Sequence, residues 1–324
     1  MYWPEDVISY YKNAIFNLKK SDVHVYNYSS FFQNIYSELV SFLLNGKNDT
    51  ILIKTSVTGK RKANHEINND ILEKVICLSR RLCPKSKIIL ADGPAYTKSY
   101  YLECCKLKWD YIAEKYNVEI MDLNKDDYRL FLDNWPVAKL WFESDKIINM
   151  CKAKTHKRFG VTLSLKNLLG VFSGEALGYP KFSYRHEHVP RLLYELDKMS
   201  SKRLNIIDGY CGIEGNGPMH GRQTKSNFIV MGTDSYSCDF QGAIEMGFAP
   251  ATTIATIRPF MYNYTGYDAL DENDIINLRN SDIDFYPNIS CAWMFKSLYW
   301  DFNKLNNHYQ ALMEGIKQCW HRKI

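Results

Sequence analysis

Two stretches of this sequence concentrate side chains able to bind an anion and move a proton. The first, Cys151–Gly170, carries Lys152, Lys154, Lys157, Arg158 and Lys166 and no acidic residue, so its local field is positive. Lys152, Lys154, Thr155 and His156 follow a short apolar run, and Thr162, Ser164, Lys166 and Asn167 add donors a few residues on. Donors converging beyond a strand end are what a carboxylate or phosphate needs. The second stretch, Asp208–Gly221, holds five glycines in fourteen residues. Glycine costs roughly 0.5–1 kcal/mol relative to alanine in regular structure, so this density implies left-handed angles or close backbone approach. Glu214 and His220 supply acid–base groups there.

The expected chemistry is acid–base work on a small anionic substrate. His156, Lys166 and Glu214 are the candidate catalytic residues. Lys54, Lys152, Lys154, Thr155, Thr162, Ser164, Asn167, Asp208, Asn216 and Gly217 are the candidate binding residues. A lysine among other cations loses proton affinity and histidine titrates near neutrality, so either group suits a base. Isomerisation, elimination or group transfer at a carbon next to a carboxylate would use such a set.

These residues need a scaffold, and the chain offers an α/β one. Thr50–Thr55, Ile88–Asp92, Val118–Asp122, Lys146–Met150, Leu204–Asp208 and Phe228–Gly232 are short apolar runs ending in a polar residue or glycine. Helical patterns separate the early ones, over Glu66–Leu82 and from Pro94 through Lys115, which predicts a mostly parallel sheet with flanking helices. Ligands then gather beyond strand carboxyl ends, at Asp92, Asp122, Cys151, Asp208 and Gly232. Residues 1–46 read as a helical extension ending at Gly46, 47–260 as the core, and 261–324 as a C-terminal extension with a closing helix. Thr233–Gly247 reads as a helix capped by Thr233 or Asp234, with Asp239 inside it either on the surface, the reading ranked first, or engaged with nearby lysines.

Composition narrows the class further. With 41 basic and 36 acidic residues in 324, the net charge of +5 does not mark a nucleic-acid-coating protein. The N-terminus lacks the charged start and apolar core of a secretion signal, and no apolar run reaches the roughly 20 residues of a membrane span, so a cytoplasmic protein with no membrane partner is expected. The nine cysteines are scattered without a CxxC pair and read as reduced thiols. His186 and His188 stand one residue apart with no third ligand identifiable, so no metal is predicted. The sequence names no cofactor and no oligomeric state.

The combination Lys152-Ala-Lys-Thr-His156, Val161–Asn167 and the run Gly212-Ile-Glu-Gly-Asn-Gly-Pro218 after Asp208 resembles the domain-of-unknown-function family 362, more loosely from about residue 50 to 250 through Ile51–Lys54, Ala91–Pro94 and Thr233–Asp239. The resemblance implies an α/β domain, joined in many relatives to a ferredoxin-like module with iron–sulfur clusters. This chain has no C-x₂-C-x₂-C-x₃-C-P run, which weakens an electron-transfer role. An architectural likeness to nickel-pincer racemases is considered, but no residue match carries it. Two other functions stay open: a redox protein using Cys151, Cys211 or Cys238 with an external cluster or flavin, and, ranked last, a nucleic-acid binder with a basic track over Lys60–Lys62 and Lys152–Arg158.

Overall fold

The computed structural model describes residues 23–246 apart from 60–64, 133, 157–159, 182–188, 200–201 and 216. Its centre is an eight-stranded mixed sheet. The chain enters through β1 (Val23–Tyr26) and α1 (Tyr28–Leu43), then β2 (Thr50–Lys54), α2 (Asn69–Leu82), β3 (Lys87–Asp92), α3 (Tyr100–Leu107), α4 (Trp109–Lys115) and β4 (Glu119–Asp122). A two-stranded ribbon, β5 (Tyr128–Phe131) and β6 (Trp135–Ala138), and α5 (Lys139–Glu143) lead to β7 (Lys146–His156), β8 (Gly160–Thr162) and α6 (Ser164–Asn167). A 3₁₀ turn (Leu168–Val171), α7 (Gly174–Leu177) and α8 (Val189–Lys198) precede β9 (Arg203–Glu214), β10 (Arg222–Gly232) and α9 (Ser235–Glu245).

The strands lie in the order β1, β10, β9, β7, β2, β3, β4, with β8 paired to β7. β9, β7, β2, β3 and β4 run parallel, while β1–β10, β10–β9 and β7–β8 are antiparallel. Period-two alternation separates two cores. Ile51 and Ile53 face the layer of α1 to α4 with Phe31, Ile35, Leu72, Val75 and Trp109. Leu52 and Ile147 face the opposite layer with Trp141, Phe172, Leu192 and Leu196. A parallel strand covered on both faces reads as a near-continuous apolar run, which is why β2 and β3 were visible as Ile-Leu-Ile and Ile-Ile-Leu.

Four expectations change. Residues 23–26 form an edge strand rather than helix, because the β-branched alternation in Val-His-Val-Tyr pairs with Ile229–Gly232; residues 1–22 lie outside the described ones. The helix expected through Lys115 is two helices broken at Lys108, whose φ is 61°. β7 runs to His156 rather than Met150, so the basic stretch begins as strand, with Lys152 and Lys154 inside it. The glycine-rich loop is likewise mostly strand: β9 extends to Glu214 and forms a hairpin with β10, and the described residues left between them are 215 and 217–221. Gly209 is required there by packing, since an added Cβ would collide with the Phe228 ring. The C-terminal extension from residue 261 lies outside the described residues.

Candidate functional site

The parallel strands define where a site belongs. β2 has β3 on one side and β7 on the other, so successive crossovers leave in opposite directions from the β2–β7 gap, which is a topological switch point. A cavity of about 170 Å³ opens there, between Ser56–Thr58 after β2, Asp92 and Gly93 at the end of β3, and Lys154 and His156 at the end of β7. Thr162, Lys166 and Asn167 close one wall, and Lys181, Pro218 and Met219 another. Gly232 belongs elsewhere: β10 runs antiparallel, so its end pairs with Asn205 near the start of β9. Cys151 is inside β7 rather than at its end.

The floor is a set of buried ion pairs. Lys54 is fully buried and donates to Asp92 Oδ1 at 2.8 Å, Thr55 O at 2.9 Å and Asn167 Oδ1 at 3.2 Å. Asp92 also accepts from Val57 N at 2.6 Å and Gly93 N at 2.9 Å, fixing the loops after β2 and β3. Gly170 lies so close that a Cβ on it would strike the Asp92 carboxylate. Lys154 pairs with Glu66 at 3.0 Å, and Glu66 in turn accepts from Thr58 Oγ1 at 3.0 Å. Three acceptors hold Lys181: Gly93 O at 2.6 Å, Asn124 Oδ1 at 2.8 Å and Phe172 O at 2.8 Å. All three amines tie strand ends and loops together, and in the two ion pairs, Lys54–Asp92 and Lys154–Glu66, removing one partner costs more than the pair gains.

The short helix α6 carries the residues facing the cavity, and Asp239 of α9 holds its start. The Asp239 carboxylate accepts from Ser164 N at 2.7 Å, Ser164 Oγ and Leu165 N at 3.2 Å, taking the role of an N-cap from outside the helix. Asp239 is thus buried and engaged, a correction to its expected surface position; burial pushes its carboxyl up to about 7. Asp234 does cap α9, accepting from Ser237 N at 2.6 Å. Asn167 donates to Asn149 Oδ1 at 2.8 Å, Asn149 to Asn205 Oδ1 at 2.9 Å, and Asn205 to Gly232 O at 3.3 Å, a line of buried amides across the sheet.

Of the residues singled out from sequence, Lys154, His156, Thr162, Lys166 and Asn167 meet at this cavity, with Lys54 beneath it. The others do not. Lys152 pairs with Asp208 at 3.0 Å, and Asp208 also accepts from Asn68 N and Tyr210 N. Lys152 lines a separate hollow of about 420 Å³ beside the start of α2, with Asn68, Lys106 and Cys211. Ser164 is spent on Asp239, and Thr155 on the hairpin turn, donating to Gly215 O at 2.9 Å and accepting from Gly217 N at 3.2 Å. Glu214 is buried, ion-paired with Arg222 and off the cavity lining, so its candidacy as a catalytic acid loses its geometric basis. Asn216 lies outside the described residues, as do His186 and His188.

The two stretches do meet, because an added Cβ on Gly217 would collide with Thr155 O, and the turn brings Pro218 and Met219 to the cavity. Sequence reasoning missed Glu66, Lys181 and Asn124 altogether. Asp92 had the right address, the end of an apolar strand before Gly-Pro, and no assigned partner.

Among the cavity-lining residues Lys154, Lys166 and Lys181 face one carboxylate, Asp92. Burial, with the Lys154 charge beside it, lowers Lys166 to about 8. Burial lowers Lys181 to about 7 against the pull of Asp92. The thiols of Cys151 and Cys238 are buried in a third apolar cluster and pushed well above their ordinary value, which removes the thiolate character redox chemistry needs. Lys152 and Lys154, two members of the proposed basic track, are buried in ion pairs; Lys60–Lys62, Lys157 and Arg158 lie outside the described residues. Among the described residues no group of three or more His, Cys, Asp or Glu is arranged for a metal, and no helix is long and apolar enough to cross a membrane.

A curated relative is the thylakoid-associated protein sll1697 of Synechocystis sp., 30% identical over 118 residues, spanning 36% of this chain and 37% of that protein. Of solved structures, the lactate racemase apoprotein from Thermoanaerobacterium thermosaccharolyticum overlays with a TM-score of 0.41 at 12% identity, covering 66% of this chain and 55% of that one. The aminotransferase AspB from Helicobacter pylori gives a TM-score of 0.18, also at 12% identity, covering 86% and 63%. Neither overlay is close enough to bear on the reaction. A family model matches residues 51–243, the stretch that builds the sheet and the cavity, and the chain belongs to that family, described as a domain of unknown function (DUF362).

Proposed function

We propose that this protein is an enzyme acting on a compact anionic metabolite, a carboxylate or phosphate, by acid–base chemistry at the β2–β7 switch point. The observation that carries the reading is Lys166. The residue is partly buried and lines the cavity at the strand carboxyl ends. A lysine lowered to about 8 is a base at slightly alkaline pH and an acid below it, the poise general acid–base catalysis requires. His156 and Thr162, both half-buried on the same lining, supply a second proton carrier and a donor for the substrate. The excess of lysine over carboxylate favours an anion, and about 170 Å³ is small beside the roughly 300–1,000 Å³ of sites for larger ligands.

The test is hydrogen exchange at carbon. The full chain is incubated in D₂O with small 2-hydroxy, 2-oxo and phosphorylated acids, and loss of the proton next to the carboxylate or carbonyl is followed by NMR. Exchange with at least one acid is expected, rising with pH through about 8 as Lys166 loses its proton, and abolished in Lys166→Ala. No exchange across the panel, or exchange undiminished in a folded Lys166→Ala protein, overturns the reading.

A further inference from the structure

The second hollow, about 420 Å³ beside the start of α2, differs in character from the cavity. Its buried acceptors are already taken. Glu66 receives Thr58 Oγ1 at 3.0 Å on one carboxylate oxygen and Lys154 Nζ at 3.0 Å on the other. Asp208, paired with Lys152, accepts from Tyr210 N on Oδ1 and from Asn68 N and Lys152 Nζ on Oδ2. Asn68 Oδ1 caps α2 through Asp70 N and Ile71 N, and the exposed Asp70 accepts from Tyr28 Oη at 2.7 Å. The donors are another matter. Lys152 is 3% exposed, and among the described residues its ammonium gives one of three N–H groups away, to Asp208 at 3.0 Å. Lys106 likewise gives one, to Glu103 at 2.7 Å, and Lys108 lies exposed on the same lining.

Strand alternation identifies the part of Lys152 that reaches the hollow. Ile148 and Met150 pack in the core beneath α1 to α4, whereas Cys151 and Ala153 pack in the cluster on the other face. Lys152 therefore projects its side chain with Ile148 and Met150, toward α2. A buried N–H with no acceptor carries the desolvation cost of that donor, and the hollow is the space from which an acceptor can come.

We propose that this hollow is a second ligand site, which takes the phosphate group of a small phosphate monoester, with Lys152 at its base and Lys106 and Lys108 at its mouth. The tie to Asp208 positions the Lys152 ammonium and leaves its other two N–H groups for the ligand. A tetrahedral phosphate presents several oxygens to donors arriving from separate directions, which suits ammoniums acting as point charges; a planar carboxylate is better matched by an arginine fork. The two buried carboxylates do not oppose the anion, because Lys152 and Lys154 balance them. The volume falls in the range of metabolite sites and leaves room for an organic remainder beside the phosphate. Glu66 joins the two sites: it lines the hollow while its carboxylate holds Lys154, which lines the cavity. The inference is independent of the role given to Lys166.

The hollow contains its own reporter. Cys211 on its lining is half-buried, and Cys77, half-buried in α2 and off the lining, serves as the internal control. The full chain is alkylated with iodoacetamide in the presence of glycerol 3-phosphate, inorganic phosphate, succinate or glycerol, and the labelling rate of each cysteine is read by peptide mass spectrometry. With glycerol 3-phosphate at about ten times its Kd, labelling of Cys211 should slow about tenfold while that of Cys77 is unchanged. Glycerol should have no effect, and succinate should protect less than inorganic phosphate. Lys152→Gln would strand Asp208 without its cation, so the double variant Lys106→Gln, Lys108→Gln carries the test at two exposed positions. It should raise the half-protecting concentration about tenfold, and Lys166→Ala should leave that concentration unchanged. The proposal is overturned by no protection from either phosphate, by equal protection of both cysteines, by succinate matching phosphate, by protection intact in the double variant, or by protection lost with Lys166.

Discussion

Replacing Asp92 by asparagine keeps the outline of the side chain and removes its charge. In the wild type its two oxygens serve three donors: the Lys54 ammonium at 2.8 Å and Gly93 N at 2.9 Å on Oδ1, and Val57 N at 2.6 Å on Oδ2. Asparagine offers one oxygen, so its NH₂ must face either Val57 N–H or the donors of Lys54 and Gly93. Breaking a buried ion pair from one side costs about 3–5 kcal/mol because the other charge stays buried. Lys54 retains Thr55 O and Asn167 Oδ1, which places the loss near the lower bound, about 3 kcal/mol. With a urea slope of about 2 kcal/mol/M, the unfolding midpoint should fall by about 1.5 M. Lys54→Met in the Asp92→Asn background should cost much less than Lys54→Met alone, since the two groups are coupled. A loss under about 1 kcal/mol for Asp92→Asn, with strict additivity in the double variant, would refute the claim that this pair anchors the cavity floor.

Three further outcomes follow from other parts of the structure. Asp239 has its carboxyl raised from 3.8 to about 7 in the fold, so between those values the folded protein keeps a proton that the unfolded chain has released. Its contribution to stability therefore falls as pH rises through that window and is level above it, and Asp239→Asn should flatten the fall; urea midpoints from pH 4 to 8 that stay parallel to wild type would contradict this. Gly217→Ala should destabilise by about 1–3 kcal/mol and loosen the Pro218–Met219 wall, because its Cβ meets the Thr155 backbone carbonyl, and a protease-susceptibility assay of the hairpin reads the second effect. Lys108→Gly should gain up to about 1 kcal/mol by relieving a left-handed angle at an exposed junction, seen as a higher thermal midpoint; a loss would mean that unfolded-state entropy dominates.

The parallel half of the sheet was legible because both faces of each strand are covered. That burial writes Ile51–Ile53 and Ile88–Leu90 as apolar runs whose polar last residues mark the site end. The hairpin-side halves of β9 and β10 were hidden. β9 and β10 continue through Gly209, Gly212, Thr224 and Ser226, where composition resembles a loop, and only the cross-strand register reveals a hairpin. Within the site, Lys154, His156, Thr162, Lys166 and Asn167 were found by crowding of donors after a strand. What crowding could not show was which charges are cancelled. Glu66, Asp92, Asp208 and Asp239 come from distant parts of the chain, and each converts an expected ligand-binding donor or floor charge into a structural tie. Lys181, between Pro180 and residues outside those described, carried no local signal at all.

The amide line through Asn167, Asn149 and Asn205 has a direction. The Lys54 ammonium needs an oxygen from Asn167, and the Gly232 carbonyl needs an N–H from Asn205, so every amide between them points its oxygen toward Lys54. Three separate side chains thereby act as one short macrodipole with its negative pole on the lysine. The grip on Lys54, and through Asp92 on two cavity loops, is consequently set partly at the far side of the sheet. Asn205, which is not part of the cavity lining, is joined to its floor through Asn149 and Asn167.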